Sequence, residues 1–405
     1  MSVSWKKIDF ATAQSGDARY VTHRHCPICD NDDATVINQM KGFQFYTDDV
    51  INKQVDITNV QCKSCKALYM NPVYSPAGFD VLFREAGCSY GMTDGRTKEQ
   101  LDWLTTRGLL QDQKIFLDVG CGDGALMKCL PDGIRCIGVD IDLFSIEKAR
   151  KNNSHHNVEF ICADFDAFKP DFEPDLISLF HVLEHLPNPI GTLRHLRLIS
   201  KKGSHLIVEV PVMENGFTND IMSFFSPQHM THFSGQSFMQ CVKNAGWSIV
   251  EAFQQPDYNG TRILAVNDGS SSILKDFALK HLEDLLQLTQ INNRKIETAL
   301  NKLSASNKVI VWGAGNHLEK IFQVTDYFEN SNSEFIIVDS DKIKQNKTWR
   351  GINIYSPDVL GDLKGQGISV IISSYGSQPI IQNVLNDWGW DKSHIVELYE
   401  HVDIY

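Results

Sequence analysis

The sequence predicts an α/β protein in three parts: a small β-ribbon, a central Rossmann-like doubly wound sheet, and a second Rossmann-like α/β unit. Three observations carry this. Two Cys-x-x-Cys pairs, Cys26/Cys29 and Cys62/Cys65, bracket short alternating segments at Thr35–Met40 and Phe43–Tyr46. From Ile115, apolar strand signals alternate with helical ones, and the strand ends carry acids or glycines. From Lys308 the alternation starts again. A chain of 405 residues is long for one core, and we place the divisions at 1–75, 76–268 and 269–405.

Composition narrows the function classes. Hydrophobic residues at 42% and charged residues at 22% are ordinary for a globular protein. A formal charge of −12 argues against nucleic acid as a partner held by bulk electrostatics. No stretch approaches the ~20 apolar residues of a membrane span, and the first ten residues lack the apolar centre of a signal peptide. Ten cysteines without an export signal point to a reducing cytoplasm, where thiols serve as metal ligands or stay buried.

The two cysteine pairs have the spacing of a tetrahedral S4 site, so Cys26, Cys29, Cys62 and Cys65 are expected to hold a structural Zn2+ in a zinc ribbon. Four protein ligands leave no open position for a catalytic water. Zinc ribbons often bind nucleic acid, but Asp30, Asp32, Asp33, Asp48 and Asp49 make these loops acidic. A helix is expected at 76–84, followed by Tyr90 in a glycine-flanked loop, which reads equally as a lid over the site or as a packed surface aromatic. An amphipathic helix over 98–110 leads into the central unit.

The central unit is organised around Ile115-Phe-Leu-Asp118-Val-Gly120-Cys-Gly122-Asp-Gly124, an apolar strand running into a glycine turn. Glycine there lets backbone approach a ligand closely. The pattern Gly120-x-Gly122-x-x-Ala125 also fits a dinucleotide fingerprint, with Asp140 at the distance for a ribose. Asp118 separates the two readings, because an acid at the strand tip repels a pyrophosphate and suits a cationic, amino-bearing ligand. A first helix is expected near 125–130. The second strand, 135–139, ends at Asp140 with Ile141 beside it, and its carboxylate suits two ribose hydroxyls, an ordinary helix cap being the alternative. The third strand, 158–162, leads to Asp164 and Phe165. The fourth, 176–180, ends at Phe180 and is followed by His181-Val-Leu-Glu184-His185-Leu-Pro-Asn-Pro189. His181 sits where an open α/β sheet places its chemistry.

A fifth strand over 205–210 precedes an insertion, 212–233, carrying Phe217, Phe224, Phe225, His229 and His232. Its aromatic residues and histidines read as a loop capping the site, with His229 the better candidate base and His232 packing under the next helix. Antiparallel strands at 246–250 and 263–266 close the sheet. Beyond them, 270–303 reads as a long connector helix with an apolar stripe. Lys308-Val-Ile-Val-Trp-Gly313-Ala-Gly315 then opens a second strand, glycine turn and helix, with Leu318 where a third glycine would stand. A unit that holds a nucleotide-linked substrate and a packed scaffold fit that half-fold equally.

Leu117-Asp-Val-Gly-Cys-Gly-Asp-Gly124 resembles the first motif of class I S-adenosylmethionine-dependent methyltransferases. The resemblance implies S-adenosyl-L-methionine as cofactor, held by Asp118, Gly120, Gly122, Gly124, Asp140, Ile141, Asp164, Phe165 and Phe180. It implies that His181–Pro189 lines the transfer pocket, with His229, His181 and Tyr90 as catalytic candidates. The ribbon, the central body and the C-terminal unit in this order resemble bacterial sugar C-methyltransferases, which act on a nucleotide-linked 4-keto-sugar. The base region of that family typically reads Tyr-His-Glu-His before a Phe-Ser. Here Ser226-Pro227-Gln228-His229 stands in its place, with Phe233-Ser234 following. A single histidine suits deprotonation of a hydroxyl, so attack by oxygen stands beside attack by carbon. The expected partner is a small-molecule acceptor, a sugar or nucleotide-sugar.

Overall fold

The architecture is that of a computed structural model, which describes residues 3–8, 16–44, 54–80, 82, 94–111, 114–153, 157–165, 168–214, 225–254, 260–268, 282–303 and 307–402. Tyr90, Phe217, Phe224, Asp48, Asp49 and most of the connector stripe lie outside the described residues.

The N-terminal unit is built on strands β1 (Ala34–Gln44), β2 (Gln54–Cys62) and β3 (Leu68–Met70). They pair antiparallel in sequence order, and β2 buries residues on both faces. The central unit contributes helix α1 (Asp94–Thr106), β4 (Ile115–Val119), β5 (Arg135–Asp140), helix α2 (Leu143–Asn152), β6 (Val158–Cys162), β7 (Leu176–Phe180), helix α3 (Pro189–Ile199), β8 (His205–Val210), β9 (Thr231–His232), helix α4 (Gly235–Asn244), β10 (Ser248–Gln254) and β11 (Thr261–Val266).

Seven of these strands form one sheet in the order β10-β11-β8-β7-β4-β5-β6. The β4–β8 strands run parallel, and β11 enters antiparallel between β8 and β10. The first strand lies in the middle and the order reverses beside it, so β4 and β7 border the switch point where ligands of open α/β sheets bind. The local sequence sets the helix starts. Asp142 caps α2 by accepting from the Phe144 and Ser145 amides, and Asn188 caps α3 with Pro189 in the first turn. Ser234 and Ser237 form a reciprocal capping box at α4.

Two expectations change here. The helix expected at 125–130 is a single 3-10 turn at Met127–Cys129. Gly124 enters it at φ +73° and Pro131 follows directly, leaving too few residues to propagate an α-helix. The helix before β4 starts earlier and stops earlier than 98–110, since Gly108 at φ +61° ends it.

β9, which belongs to the insertion after β8, leaves the main sheet and pairs antiparallel with β3, so the N-terminal sheet reads β9-β3-β2-β1. Both units share one core: Ile28 and Tyr69 pack with Phe233, Phe238 and Trp247.

After helix α5 (Leu282–Asn301), the C-terminal unit has β12 (Lys308–Trp312), helix α6 (Asn316–Val324), β13 (Glu334–Val338), β14 (Thr348–Trp349), β15 (Ile352–Tyr355), β16 (Ser369–Ile372), helix α7 (Gln378–Asp387) and β17 (Ile395–Glu397). The sheet order is β14-β15-β13-β12-β16-β17, parallel apart from β14. The start of the chain lies on this unit, where Lys6 and Phe335 exchange backbone hydrogen bonds of 3.1 and 2.8 Å. The far end of β1 also reaches it. The Gln44 amide donates to Glu319 Oε1 at 3.1 Å, and the fully buried Arg350 bridges Glu319 and the Gly42 carbonyl. Among the described residues, no helix is long and apolar enough to cross a membrane.

Candidate functional site

The glycine turn after β4 lies at the sheet's C-terminal edge. Gly120, Gly122 and Gly124 all adopt positive φ, at +72°, +53° and +73°. At Gly120 packing adds to the backbone requirement, because a Cβ there would lie 2.3 Å from Cγ2 of Val182. The turn after β4 and the His181 segment after β7 are thereby pressed together.

Asp140, at the tip of β5, accepts from the Gly122 amide at 2.9 Å and from the Asp142 amide at 2.9 Å. Asp142 does the helix capping, and the carboxylate of Asp140 shapes the turn while each of its oxygens keeps capacity to accept a further hydrogen bond. Asp118 is buried at the end of β4 and accepts from Ser178 Oγ at 2.5 Å. Burial pushes its carboxyl up to about 7; the Ser178 hydroxyl works against that rise and the charge on Asp140 adds to it. A buried acid served by one hydroxyl suits a cationic partner, which is the fit expected of the amino group of S-adenosylmethionine. Ile141 is half-buried beside Asp140 and Asp164 is exposed beyond β6. Phe165 turns into the core, edge-on to His195 at 5.4 Å between ring centroids. Phe180 lies under the Arg262 guanidinium at 5.4 Å.

Beyond β7 the chain enters a strained conformation: His181 is a non-glycine residue at φ +55°. Its backbone N–H donates to the Glu209 carbonyl at 2.9 Å. Its ring Nε2 lies 3.0 Å from Glu209 Oε1, in ion-pair range but not aligned as a hydrogen bond. Nδ1 lies 3.5 Å from Glu184 Oε1. Burial and the charge on Arg96 push His181 down, but the carboxylates of Glu184 and Glu209 outweigh them and hold it above the usual imidazole value. Glu184 is fully buried; burial works to raise it, while the surrounding imidazoles hold it down to about 2.

The loop with His229 closes on this segment. The Met230 amide donates to the Glu184 carbonyl at 2.7 Å, and His185 Nδ1 pairs with the Gln228 carbonyl at 3.0 Å. His185 and His229 meet edge to face at 4.9 Å. The structure thus brings His181, His185, His229 and Glu184 together. His232 is separate: it is buried, with Nε2 2.8 Å from Asn59 Oδ1 of β2 and its ring against Phe225.

The four cysteines converge. Their sulfurs lie within 4.8 Å of one another, with Cys26–Cys65 at 3.5 Å and Cys29–Cys62 at 3.6 Å. Metal–sulfur bonds of about 2.3 Å give a tetrahedral edge of roughly 3.8 Å, so the four thiols fit a tetrahedral ion.

Sequence reasoning missed Glu209, Arg262 and Arg24. Arg262 is buried and joins Glu209 by hydrogen bonds from Nε, at 2.7 Å, and from Nη2, while Nη2 also reaches Glu99 Oε2 at 2.6 Å. The available signal was a lone charge inside Thr261-Arg-Ile-Leu-Ala-Val266. Arg24 donates to the carbonyls of Pro187 and Met230, joining the ribbon to both site loops. In the C-terminal unit, Asp339 repeats the pattern of Asp140, accepting from Ala314 at 2.7 Å and Asp341 at 2.8 Å. Lys344, at 3.3 Å, partly neutralises this acid.

Residues 95–252 match a family model described as a methyltransferase domain, and residues 305–396 match one described as C2185-like, N-terminal. The ubiquinone biosynthesis O-methyltransferase of Aeromonas salmonicida (strain A449) is 26% identical over 114 residues, covering 27% of this chain and 48% of that protein. The tRNA (guanine-N(7)-)-methyltransferase of Rubrobacter xylanophilus is 34% identical over 99 residues, covering 22% of this chain and 43% of that protein. The chain thus spans under half the length of these curated relatives. Magnesium protoporphyrin IX methyltransferase (ChlM) from Synechocystis PCC 6803 with bound SAH, a solved structure, aligns at 18% identity and a TM-score of 0.36, covering 44% of this chain and 90% of that one. The central unit is a methyltransferase domain with the class I, S-adenosylmethionine-dependent fold.

Proposed function

We propose that the chain is an S-adenosylmethionine-dependent methyltransferase acting on a sugar or nucleotide-linked sugar. The observation that carries this is the contact between two loops: a glycine turn shaped by Asp140 abuts, through Gly120 and Val182, a segment rich in histidine and carboxylate. Cofactor and acceptor chemistry then meet at one sheet edge. Asp118 receives the cationic amino group of the cofactor and Asp140 the ribose; Ile141 and Asp164 border the adenosine side, and Phe165 and Phe180 pack behind the site.

The cofactor supplies an activated methyl group on a sulfonium sulfur, already a good leaving group. The protein then contributes alignment, a dry pocket and a base. His229 is that base, with His181 and Tyr90 next in line. His181 lies between two carboxylates that raise its proton affinity, which leaves less of it available as a free base. Single-histidine chemistry at Ser226–His229 favours a hydroxyl acceptor, and the name of the Aeromonas relative, an O-methyltransferase, agrees with attack by oxygen. Attack by carbon on a keto-sugar is the second reading, supported by the three-part order of the chain.

Cys26, Cys29, Cys62 and Cys65 hold a structural Zn2+, supported by the fit of their sulfur spacings to a tetrahedral ion. The C-terminal unit serves either the nucleotide-linked part of the acceptor or the scaffold. Neither nucleic acid nor membrane is a partner in this reading, and the protein works in the cytoplasm.

Incubation with S-adenosylmethionine and a nucleotide-sugar panel, followed by mass spectrometry, tests the assignment. A product heavier by one methylene unit is expected. Absence of product across the panel, with stabilisation by NAD but not by S-adenosylhomocysteine, would overturn it.

A further inference from the structure

We propose that Arg262 and Glu209 are positioning residues for this transfer: they hold His181, and through it Glu184, so that a buried carboxylate faces the imidazoles of His185 and His229. The inference rests on the methyltransferase reading for its purpose, but the device itself is read from geometry.

The row begins at Glu99 on α1, 25% exposed, and runs inward through Arg262 at 1% and Glu209 at 0%. Replacing such an ionic row by apolar packing is often neutral or favourable, so stability alone does not account for these buried charges. Glu209 divides its two oxygens. Oε2 takes the Arg262 guanidinium by Nε and Nη2, and Oε1 faces His181 Nε2 at 3.0 Å. The backbone carbonyl of the same residue takes the His181 amide at 2.9 Å. Glu209 therefore grips His181 by both backbone and ring, which sustains its unfavourable φ of +55°.

From His181 the row continues to Glu184 at 3.5 Å, then to His185 Nε2 at 3.8 Å. Glu184 Oε1 and Oε2 are buried without a hydrogen-bond partner among the described residues. The imidazoles of His181, His185 and His229 surround that carboxylate, and His181 is the one also held by Glu209. The charged groups facing His181 are Arg96 from α1, which opposes its protonation, and Glu184 and Glu209, which favour it. Arg262 and Glu99 act one step removed, by fixing Glu209. A carboxylate orienting an imidazole base is a recurring arrangement in proton-transfer sites.

Histidine-ring NMR titration of the full-length protein tests this, with His181 assigned by loss of its signal in His181→Gln. The expected wild-type midpoint lies above 6.5, and in Glu209→Gln the proton affinity of His181 falls by about tenfold or more. Arg262→Lys, which keeps the charge, should preserve most of the wild-type value. Equal His181 midpoints in wild type and a folded Glu209→Gln would overturn the proposal. If Glu209→Gln does not fold, Glu184→Gln reads the row from its other end, and an unmoved His181 midpoint there overturns it equally. S-adenosylhomocysteine binding is measured on the same proteins. Its absence from wild type would remove the methyltransferase reading while leaving the His181 result to be judged alone.

Discussion

Gly120 and Val182 set the distance between the two loops of the site: a Cβ on residue 120 would fall 2.3 Å from Cγ2 of Val182. Gly120→Ala therefore meets two obstacles, the overlap and a φ of +72°. The backbone cost alone is about 1–3 kcal/mol. We expect a lowered melting temperature and S-adenosylhomocysteine affinity reduced by more than about tenfold, a 1.4 kcal/mol effect. Adding Val182→Ala should recover the steric part only. Full affinity in the single variant, by calorimetry, would mean that the loops are not held in this contact.

Asp140 and Asp142 are two residues apart and make different predictions. Asp142 caps α2 through the Phe144 and Ser145 amides, so Asp142→Ala should cost about 1 kcal/mol of stability and little affinity. Asp140→Ala should weaken cofactor binding by about 1.5–3 kcal/mol per lost charged hydrogen bond, and should also loosen the turn by freeing the Gly122 amide. Calorimetry with S-adenosylhomocysteine on both variants separates the roles. Equal affinity losses would count against the ribose assignment.

The strands and the glycine turn were legible because their signals are local: β4 ends in Asp118-Val-Gly-Cys-Gly, and each later strand has its own apolar run. Pairing of the Thr231–His232 strand with β3 was not legible, since it joins Thr231 to Tyr69 across the whole central unit, and two residues carry little pattern. His232 illustrates the consequence. It was expected to pack under α4, and its partner is Asn59 of the ribbon. The Arg262–Glu209 row was hidden for a similar reason, because each residue looks ordinary until the antiparallel register sets Arg262 opposite Glu209.

Asp118 gives a pH dependence whose sign follows from its raised carboxyl, at about 7 in the folded protein against 3.8 for the free group. Protonation is favoured in the folded, ligand-free state, so this group destabilises the fold progressively from about pH 4 to 7 and not further above. A cationic ligand at Asp118 needs the carboxylate. Binding below pH 7 must release a proton, and affinity should rise toward pH 7 and level off above it, by up to about tenfold per unit. Calorimetry across pH 5.5–8 in buffers of different ionisation enthalpy measures that proton directly. No proton release at pH 6, in a protein that binds, would place the amino group elsewhere.

His229 and His232 sit three residues apart and should respond differently to truncation. His229→Ala should abolish turnover, by about 10²-fold or more for a lost general base, while cofactor affinity and stability stay close to wild type. His232→Ala leaves a buried Asn59 carbonyl oxygen without its partner and should cost about 1–3 kcal/mol of stability. Unchanged turnover in His229→Ala would move the base to His181 or Tyr90.

Metal removal tests the proposed Zn2+ site and what the cysteine-bearing unit does for this domain. Among its contacts with the His229 loop, β3 pairs with Thr231–His232, the Tyr74 hydroxyl donates to the Pro227 carbonyl, and Arg24 spans the Pro187 and Met230 carbonyls. Cys62 ends β2, and its amide bonds the Ala67 carbonyl at the entry to β3, so the thiol cluster fixes the strand that carries the loop. The glycine turn, by contrast, is held within the main sheet by Asp140 and the Val139 carbonyl. A chelator strong enough to strip the ion should therefore abolish turnover while S-adenosylhomocysteine binding persists, weakened by no more than a few-fold. The loop loses its anchor and the cofactor turn keeps its own. Re-addition of Zn2+ should restore activity. If chelation releases one zinc per chain and turnover continues undiminished, the ribbon does not hold the His229 loop in place, and its role lies apart from the transfer.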